Sequence, residues 1–581
     1  MTAVHAEPDR ATPARPATGA TRHLCSGVYV DEGFRELVID EVCTAPERRV
    51  APSYGFDHVP VMRHAWWATH LHAFLRLTML ASVIAPHLLG HTVASVLTTG
   101  GLVVLFLLDR AAHLYTVITR EDDPLSSPRE QRNKKKQRRR LFPLPGTLDV
   151  RTRDEARRLK TTGLQVLAVV GAMALLCVSQ PAQALVAAYA GGGVLLVSVL
   201  VGVIGQLRVN RVYVPGSILR PERLSAREKV VDHQQTHPCV VYQRPVHKGN
   251  EEDKDDALFT LFGKDSPFVG AGELVYQWNP PMSVQLLRPG GNDEPLHERE
   301  HRYPPFRTDE LVEHLREAVD QLCGDDEDVR LPVSVRDRIY VAASDISGDR
   351  SLTRGSIGPG AMRRVINEQR SGHFHFLEVS VPDADSELVA TVLLHVVLRG
   401  RTLSLFFAAC ALTRTPDRFR RAEEFGQHGK RAVAAAGFRA LRDLPHEVTG
   451  LWRVVRYPWV LAKALLYRRD LTTTPIRNLS IGSRVSVRQE IAQKWSKVQL
   501  DKTRVLSHMK TVEQRLLKAT SDFLHSRGVD ISEFDDRATQ IINSGIVNLG
   551  GTNDISNNNL GNGTQTNNHG PQQTSQNGDQ T

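Results

Sequence analysis

Two stretches of the chain, 67–108 and 163–205, hold few polar positions. A helix needs about 20 predominantly apolar residues to cross a hydrocarbon layer of about 30 Å. Residues 184–205 (ALVAAYAGGGVLLVSVLVGVIG) carry no charge and predict one span, with 163–180 (GLQVLAVVGAMALLCVSQ) predicting a second, separated from it by a turn at Pro181. Residues 92–108 (TVASVLTTGGLVVLFLL) predict a third, ending at Asp109–Arg110. The fourth, at 69–88, contains His70, His72 and Arg76. An Arg at the bilayer centre costs about 2.5–3.5 kcal/mol. A span beginning at Phe74 places Arg76 near the inner end, where its long stem can snorkel to the headgroups, and sets Trp66 and Trp67 in the interfacial belt. The pattern therefore reads as two transmembrane hairpins, with a pair of buried soluble hairpins as the alternative.

The other periodicities are those of soluble structure. Asp31 is placed to cap a short helix with Phe34, Leu37, Val38 and Val42 on one face, in an N-terminal segment, 22–66, expected beside the first span. Residues 1–21 are Pro- and Ala-rich without the apolar run of a signal peptide, which predicts a disordered leader. Strands are expected at 239–244, 273–278, 283–287, 338–343 and 376–381, and a helix at 309–322 with Leu311, Leu315, Val319 and Leu322 as its stripe. Residues 388–412 are long and apolar enough to suggest a fifth span, but the break RGR at 399–401 and the β-branched content favour a buried strand hairpin. The block 446–469 mixes Trp452 and Trp459 with Arg and Lys, as a helix in the membrane interface does, and Pro458 predicts a kink; core packing is the alternative. Over 485–527, Ile491, Trp495, Val498, Val505, Met509, Val512, Leu516 and Phe523 recur in steps of three and four, with Lys502 at the missing seam position. That spacing predicts a coiled coil, or an amphipathic helix on its own domain.

Charge gives these elements a direction. The loop 109–162 holds fifteen Lys/Arg against eight Asp/Glu, while the tight turns at 87–91 and 180–183 hold neither Lys nor Arg. Positive-inside counting puts that basic loop, both termini and 206–480 on the cytoplasmic side of the cell's inner (plasma) membrane. Within the loop, RNKKKQRRR (132–140) supplies Lys134, Lys135, Lys136, Arg138, Arg139 and Arg140 as contacts for anionic lipid headgroups. It lacks the interleaved aromatics that stack on bases, so nucleic acid is the weaker fit. The net charge of +9 is mostly this loop's. Six cysteines without a CxxC pair exclude a disulfide scaffold and suit a reducing compartment.

Candidate chemistry is sparse. SPFVGAG (266–272) lacks the spacing of a phosphate-cradling loop and reads as a turn between strands. His233, His237 and Cys239 are close in sequence, with His247 beyond, but Pro238 breaks the helix that would align a metal-binding pair. His373 and His375 share a strand face with no second pair to complete a site, and Asp345 and Asp349 read as turn acids. No catalytic constellation and no cofactor or metal is expected.

The last segment, 538–581, is Asn-, Gln- and Gly-rich, a composition that stays disordered in the monomer and is prone to cross-β stacking. Within it VNLGGTNDI (547–555) resembles the core of the RIP homotypic interaction motif and its bacterial amyloid-signalling relatives. Val547, Asn548, Leu549, Gly550, Asn553 and Ile555 match in order; Asn548 stands where the animal motif usually has Gln. The resemblance implies a tail that assembles with like tails, on further copies or on a partner. The fold class expected is an α-helical membrane protein with two transmembrane hairpins, a cytosolic α+β domain, a C-terminal helix and an amyloid-prone tail. The function expected is non-enzymatic signalling or assembly by a homo-oligomer, as in a defence or cell-death effector; the alternative is a channel or transporter subunit.

Overall fold

The computed structural model describes residues 17–120, 150–214, 216–243, 266–290, 294–324, 331–346, 350–368, 372–420, 429–466, 470–473 and 481–543. The helices are α1 (Gly19–Val30), α2 (Glu32–Leu37), α3 (His58–Leu88), α4 (Thr92–Arg120), α5 (Val150–Ser179), α6 (Pro181–Val212), α7 (Ala226–Thr236), α8 (Thr308–Asp320), α9 (Pro359–Glu368), α10 (Lys430–Thr449), α11 (Arg453–Leu466), α12 (Leu500–Ser526) and α13 (Ser532–Asn543), with shorter helical turns between. The strands are β1 (Cys239–Tyr242), β2 (Glu273–Gln277), β3 (Met282–Gln285), β4 (Ser334–Ala342), β5 (His373–Asp383), β6 (Leu388–Arg399) and β7 (Thr402–Leu412).

Among the described residues, helices α3 to α6 are the four that are long and apolar enough to cross a membrane. Each exceeds its apolar run because it continues into polar sequence. The two tight turns lie at one end of the bundle: Gln183 at the start of α6 accepts hydrogen bonds from the amides of Val93 (2.8 Å) and Ala94 (3.3 Å) at the start of α4. Only Gln180 separates α5 from α6, since Pro181 occupies the first turn of the next helix, where its missing N–H is no loss. Leu164, Leu167, Leu175 and Val178 of α5 and Leu185, Leu195 and Leu196 of α6 are exposed, the surface composition of a lipid-facing bundle.

Helix α1 begins inside the segment expected as a leader: Thr18 caps it by accepting from the Thr21 amide, so residues 19–21 are helical. Asp31 caps α2 through the Phe34 amide, and Phe34, Val38 and Val42 are buried, as the sequence predicts.

The seven strands form one sheet in the order β1-β4-β5-β6-β7-β2, with β3 also on β7; β1–β4 is parallel and the other pairs antiparallel. Residues 388–412 are a strand hairpin turned at Gly400 (φ 60°), and both of its faces are buried. Ala390, Val392, Leu394, Leu405 and Phe407 face one core, completed by α8, α9, α12 and α13, while Val389, Leu393, Phe406 and Cys410 face a second with Tyr54 and Phe268. Double burial is why these strands look continuously apolar rather than alternating.

The helical seam requires a correction. Ile491 lies in a short turn, Trp495 in a 3₁₀ turn, and Val498 precedes α12, so the continuous helix begins only at Leu500. Val505, Met509, Val512 and Leu516 are buried in the chain's own core against the sheet and α8. The seam expected to join a second helix is thus occupied inside the chain, and Lys502 covers the Trp495 ring at 5.6 Å. Helix α13 likewise extends to Asn543, beyond the expected start of the polar tail at 538, with Ile541 and Ile542 against the same core.

Candidate functional site

The residues with the most constrained chemistry lie where the sheet meets the apolar helices. In β4 and β5 the two-residue period turns Arg338 and Glu378 to the second sheet face, where both are fully buried. Arg338 Nε is 3.1 Å from Glu378 Oε2, Tyr54 donates its hydroxyl to the same oxygen at 2.7 Å, and a second Arg338 nitrogen donates to the His237 carbonyl at 2.7 Å. Removing one partner would leave a buried charge unpaired, which costs about 3–5 kcal/mol. Tyr54 belongs to the segment between α2 and α3, so this pair ties the N-terminal part to the sheet.

Beside it, the β5–β6 turn holds three consecutive non-glycine residues in the left-handed region: Ala384 (φ 48°), Asp385 (φ 55°) and Ser386 (φ 66°). That conformation costs roughly 1–2 kcal/mol per residue and persists only where the surroundings over-determine it. Here they do. Fully buried Arg488 donates to the carbonyls of Ser386 (2.6 Å), Glu387 (2.9 Å) and Tyr54, and the Ala384 amide donates to Asp383 (2.7 Å). Helix α1 docks on the turn. Its His23 is 2.6 Å from Glu387, which also accepts from the Thr415 amide at 2.9 Å. Burial would raise the Glu387 carboxyl, but the His23 and Thr415 hydrogen bonds and the nearby cations hold it down at about 2. Gly55 (φ 72°) makes the approach possible, since a Cβ there would sit 2.7 Å from Ser386 Cβ.

A third cluster lies midway along α3. Arg76 bonds Glu32 of α2 (2.6 Å) and Glu447 of α10 (3.0 Å), and His72 meets the other Glu447 oxygen at 2.8 Å. Arg453 of α11 pairs with both Glu32 and Glu36 (3.2 Å). Burial raises Glu32, yet the Arg453 and Arg76 bonds pull it to about 2. Snorkelling is therefore not what accommodates Arg76: its guanidinium is bound by protein carboxylates. Gly450, the first of three residues between α10 and α11, leaves room for that guanidinium, since a Cβ there would lie 2.8 Å from it.

Several other sequence candidates have structural partners, while His247 and Asp349 lie outside the described residues. His237 accepts from the Cys239 amide (3.0 Å) and its Nε2 is 2.8 Å from the Gly355 carbonyl, while burial raises the Cys239 thiol to about 11. His375 is bound to Asp337 at 2.9 Å. In SPFVGAG, Phe268 is buried and Gly272 (φ 103°) lies against the Ala411 carbonyl, as a turn leading into β2 requires. No cluster of three or more metal-ligating side chains occurs among the described residues. Lys134, Lys135, Lys136, Arg138, Arg139 and Arg140, and the tail positions Val547, Asn548, Leu549, Gly550, Asn553 and Ile555, lie outside the described residues. Arg76 was visible in the sequence as a charge within an apolar run. His23, Glu387 and Arg488 carried no such signal, because they meet across 364 and 101 residues of chain.

Residues 277–556 match the AbeC-like domain. The match covers just under half of the chain, from the end of β2 through α13, and takes in 547–555. That family is not known as enzymatic. No curated protein and no solved structure matches the chain.

Proposed function

We propose that this chain is a membrane-anchored assembly or signalling protein without a catalytic step of its own, in which the tail gathers copies or partners and the AbeC-like domain relays that state to the four apolar helices. The observation that carries this reading is the buried junction of His23, Glu387 and Arg488. It ties the sheet to α1, and through Tyr54 to the segment entering α3, without a flexible linker. The tail's point of departure supports it as well. Helix α13 is fastened to the sheet domain by Arg537 to the Ser283 carbonyl (2.5 Å) and by Lys510 to the Ile541 carbonyl (3.1 Å), so a pull on the tail acts on the sheet. The resemblance of 547–555 to amyloid-signalling motifs supplies the assembly step. In a cross-β stack Val547, Leu549 and Ile555 would repeat about every 4.8 Å and Asn548 and Asn553 would form amide ladders.

The test uses the full-length chain in liposomes. The wild type should form clusters and release entrapped ions. Replacing Val547–Gly550 with four alanines should abolish clustering and release together, while Arg488→Met should leave clustering intact and reduce release. Release unchanged by the alanine variant would defeat the proposal and favour a constitutive channel.

A further inference from the structure

Helix α11 is amphipathic. Its inner side buries Val454 and Val460, and its polar side chains reach the neighbouring helices at the edge of that contact: Arg453 to Glu32 and Glu36, Arg456 to Asp40 at 2.6 Å, and the Tyr457 hydroxyl to His70 at 2.7 Å. Its outer stripe is apolar, with Val455 82%, Trp459 70% and Leu466 76% exposed, and Trp452, in the turn just before the helix, is 64% exposed. Steps of four and seven put the three helical residues on one face. In water that arrangement is unfavourable, because it leaves the apolar stripe in solvent.

The stripe continues a surface already assigned to lipid. Tyr457 meets α3 at His70, which stacks on Trp66 and lies one turn before exposed Phe74 and Leu77. The preceding helix, α10, is packed on α6 as one membrane helix packs on another. Its Ala436 and Ala440 flank Gly202 so closely that a Cβ there would lie 2.6 Å from Ala440 Cβ, and Ser198 Oγ donates to the Ala440 carbonyl at 3.1 Å. Phe438 on the free side of α10 is exposed, as are the cationic Arg431 and Arg442.

We propose that α11 lies in the surface of the bilayer that α3–α6 cross, with Trp452, Val455, Trp459 and Leu466 immersed below the headgroups, and that its partner is an anionic phospholipid leaflet. Tryptophan favours that depth, and an interfacial helix of this kind buries its apolar face about 5–10 Å into the headgroup–acyl boundary. The exposed arginines of α10 give the preference for anionic headgroups. The reading stands apart from any role of the tail.

The test is depth-resolved quenching on the full chain in nanodiscs, with exposed Cys177 and Cys323 replaced by Ser. A bimane label is placed through Val455→Cys, and separately through Leu466→Cys so that the result does not depend on one variant; Tyr303→Cys on the sheet domain is the aqueous control. Both α11 labels should be quenched at least two-fold by 5-doxyl lipid, less by 16-doxyl lipid, and be shielded from iodide, with the control showing the opposite. Quenching should weaken when phosphatidylglycerol is replaced by phosphatidylcholine; equal quenching overturns the anionic preference. Labels open to iodide and indifferent to doxyl lipid overturn the proposal, and labels shielded from both overturn it in favour of a protein partner.

Discussion

Glu387 concentrates in one carboxylate the energetics of the junction. Its folded-state value of about 2 lies below the ordinary 4.5, so the unfolded chain binds its proton more readily. The stabilisation is present above about pH 4.5 and is lost as pH falls toward about 2. The shift corresponds to roughly 3 kcal/mol. Glu387→Gln should therefore unfold more easily at neutral pH by about that amount and lose that part of the acid dependence, read as unfolding of the full-length chain in nonionic detergent from pH 7 to 2. Backbone strain next to it gives an opposite expectation. Ser386→Gly removes a left-handed Cβ and should stabilise by about 1 kcal/mol, whereas Gly55→Ala adds a Cβ at φ 72° against Ser386 and should destabilise. None of this was legible in the sequence. A left-handed Ala-Asp-Ser run has no glycine to mark it, and a glutamate after a turn looks solvated until Arg488 and His23 arrive from distant parts of the chain.

At the level of elements the sequence was more legible, and its failures have a common cause. The four long apolar helices, the Asp31 cap and the 388–412 hairpin were readable because each depends on local periodicity and a punctuating residue. Helix α12 was ambiguous because a three-and-four spacing serves equally for a partner helix or for a sheet face, and the choice is made by β5–β7 far away. The burial of its seam makes a clear prediction. Leu516→Ala should cost about 2–5 kcal/mol through loss of core packing, with the shift in melting temperature independent of protein concentration. A concentration-dependent melt would instead assign the seam to association between chains. For α11 the sequence offered an interfacial helix or core packing, and it took the inward course of Arg453, Arg456 and Tyr457 to define which face is free.

For the whole molecule, the two tight turns fastened by Gln183 lie at one end of the bundle, and α10 is seated part-way along α3 and α6, at Arg76 and Gly202. Cysteine labelling of the chain in intact cells should follow that geometry. Gly90→Cys and Gln183→Cys should react from outside, and Glu300→Cys only after permeabilisation. Labelling of position 300 in intact cells would reverse the orientation assigned by the basic loop.

The close seat of Ala436 and Ala440 on Gly202 also has a consequence in time. Helix α6 leaves the ribosome with that groove empty, and its occupant lies 238 residues further along the chain. At about 5–20 residues per second, translation reaches it roughly 10–50 s later. The four helices thus spend that interval without the contact that completes their flank, and a chain that stops early never acquires it. Truncation at residue 420 should yield a product that is inserted but rapidly degraded, as measured by pulse-chase, so the four apolar helices cannot mature ahead of α10.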